Sequence, residues 1–186
     1  MLDQFTHGPL LWFANRSTGV VLVGLLTMST ALGVLATARA GNSRWPRFAT
    51  QALHRNVSLL TTAMLAVHIA TAVIDTYVDI RWYDAVVPFL GSYSRLWLGV
   101  GAIASDLLIA VVVTSLIRLR MNHRLWRVVH LFSYLGWALG VAHGLGIGTD
   151  SGTLWGMTIS ALSVGVVAAF GVLRFATLVH ERRIAA

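Results

Sequence analysis

The chain has 186 residues, of which 56% are hydrophobic and only 11% charged, and its mean hydropathy of +0.73 lies outside the usage of soluble domains, where about a quarter of residues are charged. Its fourteen basic residues are all arginine and outnumber seven acids, but they sit in short gaps between apolar runs, which reports membrane topology and gives nucleic-acid binding no folded module. Cysteine is absent, so disulfides, iron–sulfur clusters, thiolate-ligated haem and covalent c-type haem are excluded.

Residues 1–10 lack a basic n-region and contain Asp3, and the apolar run behind them is too long for a signal-peptide core, so no cleaved leader is expected. A helix needs about 20 apolar residues to cross the hydrocarbon core. Five runs qualify, at 17–38, 56–74, 96–117, 128–146 and 154–173. The gaps are too short for another folded unit, and no internal repeat or low-complexity tract is visible. The expected fold is one all-α integral membrane domain over residues 1–186, a five-helix transmembrane bundle.

Arginine asymmetry orients the bundle. Arg39, Arg44, Arg47 and Arg55 follow the first run, Arg118, Arg120, Arg124 and Arg127 separate the third from the fourth, and Arg174, Arg182 and Arg183 close the chain. The second gap carries Asp75, Asp79 and Asp84 with Arg81 and Arg95, and the fourth carries Asp150 and no base. The N-terminus is therefore expected outside and the C-terminus in the cytoplasm. Trp12, Trp82, Trp97 and Trp155 fall at the expected outer boundary and Trp45 and Trp126 at the inner one, as interfacial belts.

Four of seven histidines lie on two helices: His54 and His68 on the second, His130 and His143 on the fourth. Both helices run the same way, so the first member of each pair marks an inner level and the second an outer level about 20 Å away. Two axial imidazoles from opposite sides hold the iron of a b-type cytochrome, and the matched levels offer His54 with His130 and His68 with His143 as ligands of two haem b groups. A fourteen-residue step returns to within about 40° of the same helix face, whereas the thirteen residues from His130 to His143 miss it by about 140°. Polar groups at this depth are costly and usually functional, although a lone intramembrane histidine is more often a hydrogen-bond partner. His7, His123 and His180 fall outside the core and read as interfacial residues.

Other residues carry open alternatives. Gly136, Gly140, Gly144 and Gly146 on the fourth helix permit either a local distortion that admits a macrocycle or ordinary small-residue packing. Arg16, at the outer mouth of the first helix, suits bidentate contact with haem propionates or snorkelling to the boundary. Arg47, Arg55, Arg124 and Arg127 stand where inner propionates would lie, and where the positive-inside rule also puts arginines. Asp106, in the middle of the third run, calls for a partner: it is a proton relay, an acceptor for a ligand imidazole, or a protonated acid bonded to a serine or threonine. Met28, Met64 and Met157 are packing residues before they are iron ligands.

With these positions in hand, the chain resembles the ferric reductase-like transmembrane family, which includes the membrane parts of NADPH oxidases, ferric reductases and the haem subunit of the periplasmic methionine sulfoxide reductase system. The resemblance runs over residues 13–178 and is carried by the 14-and-13 histidine spacing, by Leu53-His54-Arg55-Asn56, by the stretch from Trp126-Arg127 through His130-Leu131-Phe132-Ser133-Tyr134, and by Arg16-Ser17-Thr18-Gly19. It favours a propionate role for Arg16. The chain departs from the oxidases in lacking their first span and their flavin and nicotinamide domains, so it is expected to need an external donor. Short actinobacterial-type members imply an extracytoplasmic flavin-binding partner, the sulfoxide reductase subunit implies a quinol, and both imply a bacterial cytoplasmic membrane with its lipid.

Three functions compete. The first is a transmembrane electron conduit, an oxidoreductase subunit through whose two haems electrons pass between a donor on one side and an acceptor on the other. The second is transport of protons or a transition metal along a His- and Asp-lined path. The third is a haem-stabilised anchor for a flavoprotein. Intramembrane proteolysis has no His-Glu-x-x-His motif to support it.

Overall fold

The computed structural model describes residues 9–37 and 46–185, so the readings of His7, Arg39, Arg44 and Trp45 fall outside the described residues, as do those of the side chains of His180, Arg182 and Arg183. The described chain is helical: α1 (Pro9–Thr37), α2 (Arg47–Ile74), α3 (Arg95–Leu116), α4 (His123–Ile147) and α5 (Leu154–Ala185), with 3₁₀ turns at Trp82–Ala85 and Arg118–Arg120 and no strand among the described residues. All five helices are long and apolar enough to cross a membrane. The shortest, α3, has 22 residues, which at about 1.5 Å each covers a hydrocarbon core of roughly 30 Å.

These runs become helices because only a helix satisfies every backbone group within one apolar segment. Their boundaries follow local chemistry. Pro46, with no N–H to lose, stands at the N-cap of α2, and the Asn122 side chain accepts the Arg124 backbone N–H at 2.8 Å to start α4. Four of the helices outrun the apolar windows, by up to about three turns, because backbone hydrogen bonding continues past the last apolar residue until a cap or turn breaks it. The extension matters most on α2, which begins nine residues before the expected span and so takes His54 into its second turn.

Two hairpins organise the bundle. α1 packs most extensively on α2, and α3 on α4, while α1 also meets α4 and α5. α2 and α4 make little direct contact, so the two histidine-bearing helices are each backed by a neighbour and face one another across the bundle. Ser29 and Ser58 share a 2.7 Å hydrogen bond between α1 and α2, and the indole N–H of Trp137 on α4 donates to Thr27 on α1 at 3.1 Å. Many other hydroxyls return to the carbonyl one turn back, as Thr30 does to Leu26 and Thr61 to Val57, which satisfies them without water.

Between α2 and α3 the chain packs its 3₁₀ turn against α3, where the Ser105 hydroxyl donates to the Ala85 carbonyl at 3.4 Å. Asp84, 3% exposed, accepts the Arg81 backbone N–H at 2.9 Å and caps the 3₁₀ turn. Phe89 takes a left-handed φ of 65°, unfavourable for a bulky residue. Its ring fills the space that a Cβ on Gly99 would need, and its carbonyl accepts Arg95 Nε at 2.6 Å.

Candidate functional site

α2 and α4 bring the four histidines together in two levels. The His54 and His130 ring centroids are 6.2 Å apart with planes crossing at 75°, and His68 lies within electrostatic range of His143. Two imidazoles sharing one metal through bonds of about 2 Å stand with centroids roughly 6 Å apart, so the first pair already has the separation of an axial ligand pair.

Each ring is held from behind by the neighbouring helix. His68 Nδ1 donates to the Asn15 carbonyl at 3.2 Å, His54 Nδ1 to the Ser29 carbonyl at 3.0 Å, and His143 Nδ1 to the Trp97 carbonyl at 2.8 Å. A carbonyl only accepts, so in these three rings Nδ1 carries the proton and Nε2 keeps its lone pair for a metal. The residue four positions after each carbonyl is glycine: Gly19, Gly33 and Gly101. In a helix that residue lies beside the carbonyl it bonds, so a side chain there would stand between the carbonyl and an approaching ring. A Cβ at Gly19 would lie 3.1 Å from the His68 ring, one at Gly33 3.3 Å from His54, and one at Gly101 would overlap His143. Asn15 tightens its own clamp by donating its amide to the His68 carbonyl at 2.8 Å and to Thr71 at 3.2 Å.

His130 is held differently. Its Nδ1 meets the Ser115 hydroxyl at 3.3 Å, and that hydroxyl spends its proton on the Val111 carbonyl at 2.7 Å, so it accepts from the imidazole. Ser115 therefore occupies the place that glycine holds in the other three, four residues after a carbonyl. The His130 ring also stacks on Trp126 at 5.0 Å, which stacks in turn on His123 at 5.3 Å. These two residues, read from sequence as interfacial, form an aromatic ladder on α4 ending at His130.

The remaining candidates are dispersed. Arg16 is bonded through Nε and Nη2 to both carboxylate oxygens of Asp150, and its guanidinium lies 5.0 Å from the Trp12 ring and 5.8 Å from Trp155. Its partner in the structure is thus an acid on the α4–α5 loop. Asp106 makes no hydrogen bond or ion pair among the described residues, and its side chain is half-buried. Gly136 packs against Leu108, Gly140 against Leu26, Gly144 against Val23 and Gly146 against Trp97, which is close helix packing. Met28 and Met157 are exposed on the bundle surface. Arg47 and Arg127 line a cavity at the arginine-rich end, and Arg127 Nη2 lies 3.2 Å from His123 Nε2. Arg55 and Arg124 are exposed.

Each of the four rings thus has its Nδ1 on an oxygen of the backing helix, with a glycine beside that oxygen for His54, His68 and His143 and the serine itself for His130. Among the described residues no three His, Cys, Asp or Glu converge on a point that could hold a bare ion. A family model described as Domain of unknown function (DUF8596) matches residues 10–150. The chain belongs to that family. The DUF8596 region contains all four histidines, the three glycines behind them, Ser115 and both members of the Arg16–Asp150 pair, while α5 lies beyond it. No curated protein and no solved structure matches the chain. The DUF8596 description assigns no activity and makes no link to ferric reductase-like proteins.

Proposed function

We propose that this chain is a transmembrane electron conduit of the ferric reductase-like kind, in which His54 with His130 and His68 with His143 are the axial ligands of two b-type haems. The observation that carries the reading is the common treatment of the four rings: every Nδ1 is committed to an oxygen on a neighbouring helix, which leaves every Nε2 free to ligate. A bound haem supplies reversible one-electron chemistry at its iron. The protein's part is to hold each imidazole in one tautomer and one orientation and to keep the levels apart along α2 and α4.

The arginine asymmetry supports an orientation with the N-terminus outside and the His54/His130 level toward the cytoplasm of a bacterial membrane. By resemblance, the donor is an extracytoplasmic flavoprotein or a quinol. Proteoliposomes loaded with ferricyanide and treated outside with dithionite, which does not cross lipid, test the conduit. Internal ferricyanide is reduced with the wild-type chain and stays oxidised with His68→Ala. Equal reduction by both, or bound metal without porphyrin absorbance, contradicts the reading and favours transport.

A further inference from the structure

At the arginine-rich end of the bundle, a cavity of about 720 Å³ is lined by Ala36, Thr37, Arg47, Thr50, Gln51, Arg127 and Arg174. The three arginines come from three helices, α2, α4 and α5, so their convergence is a product of the fold and not of one basic loop. Among the described residues that line it, none is acidic. Among the described residues the only side-chain partner of these guanidiniums that forms a hydrogen bond is His123, which brings no negative charge. Three cations facing one concave space beside an apolar slab repel each other, and water there screens them less than at an open surface. Planar guanidiniums arriving from three directions match the oxygens of a tetrahedral anion, and basic pockets between membrane helices hold lipid headgroups in this way.

We infer that this cavity binds a negatively charged phosphate group, held by Arg47, Arg127 and Arg174. The group comes from an anionic phospholipid of the adjoining leaflet or from a soluble phosphate. The inference concerns the end of the bundle beyond the histidines and does not depend on the haem reading, because phosphate binding and haem content are measured separately.

The test uses the full-length purified chain, stripped of lipid and transferred to nanodiscs of phosphatidylglycerol or of phosphatidylcholine, with a parallel detergent sample titrated with inorganic phosphate against chloride. Thermal unfolding and native mass spectrometry give the readouts. Phosphatidylglycerol is expected to stabilise the wild type over phosphatidylcholine if the source is lipid, and inorganic phosphate to do so over chloride if it is soluble. Retention should weaken about fivefold for each arginine replaced in Arg47→Gln and Arg174→Gln, with haem content unchanged, and Arg47→Lys should recover part of the loss. A wild type indifferent to both probes overturns the inference without any variant. So does loss of the haem at the His54/His130 level in the arginine variants with phosphate binding intact, which would assign the arginines to propionates.

Discussion

His143 donates its Nδ1 proton to the Trp97 carbonyl at 2.8 Å, and it reaches that carbonyl only because Gly101, one turn further along α3, offers no side chain. The same pairing of an accepting carbonyl with a glycine four residues on recurs on α1 behind His54 and His68. It is the device by which this bundle fixes its imidazoles.

Of the three glycines that back a histidine, Gly101 should therefore be the least tolerant of an added methyl. Its Cβ would overlap the His143 ring, whereas that of Gly33→Ala would stand 3.3 Å from His54 and can be accommodated by a small shift. The expected outcome is one haem per chain for Gly101→Ala and two for Gly33→Ala, counted by pyridine haemochrome assay. Two haems in Gly101→Ala would count against the cradle.

Ser115→Ala removes the acceptor of His130 and, with it, the acceptor of the Trp126 indole N–H that stacks on the same ring, and touches none of the other three histidines. Outer partners of a metal-bound imidazole are typically worth about 10–100-fold in metal affinity. The haem at the His54/His130 level should leave that much faster into a haem-scavenging apoprotein, with the other level unaffected and Ser115→Thr close to wild type. Equal loss rates at both levels would contradict a specific role for this hydroxyl.

Arg16 and Asp150 tie the start of α1 to the α4–α5 loop across 134 positions of sequence. Their side chains are 32% and 13% exposed, so the coupling is discounted for screening to about 1 kcal/mol despite its bidentate geometry. A double-mutant cycle with Arg16→Gln and Asp150→Asn, followed by thermal unfolding, should give a positive interaction energy of that order. Additive single mutants would show the pair to be inconsequential.

Asp106 stands in the middle of α3 without a partner among the described residues, at a depth where an acid costs about 3 kcal/mol on insertion scales. Asp106→Leu should raise the thermal midpoint and leave both haems in place. Loss of a haem in that variant would mean that the carboxyl supports an imidazole after all.

Much of the architecture was legible because long apolar runs impose it. A residue run this long and apolar has no alternative to helix, so five helices follow from hydropathy, and two levels follow from His54, His68, His130 and His143 counted along two of them. What sequence concealed is what depends on the neighbour. Gly19, Gly33 and Gly101 look like ordinary small residues until the helix opposite is placed, although Gly19 and Gly33 share the fourteen-residue step of the histidines they back. The attraction of Arg16 to Asp150 and the convergence of Arg47, Arg127 and Arg174 join residues too distant for any local pattern to connect. Hydropathy places the end of α2, the start of α5 and both ends of α3 to within a residue, but not the starts of α1, α2 and α4 or the end of α5, because helices continue past the apolar run until a cap or turn breaks the hydrogen-bond series.

The most direct measurement is a reduced-minus-oxidised optical spectrum of the purified chain, repeated for alanine variants of the four histidines. Paired Soret and α-band changes amounting to two b-type haems are expected. His54→Ala and His130→Ala should lose the same one, and His68→Ala and His143→Ala the other. A folded chain without porphyrin absorbance, produced in cells supplied with haem precursor, would contradict this, and so would four variants that all retain two haems.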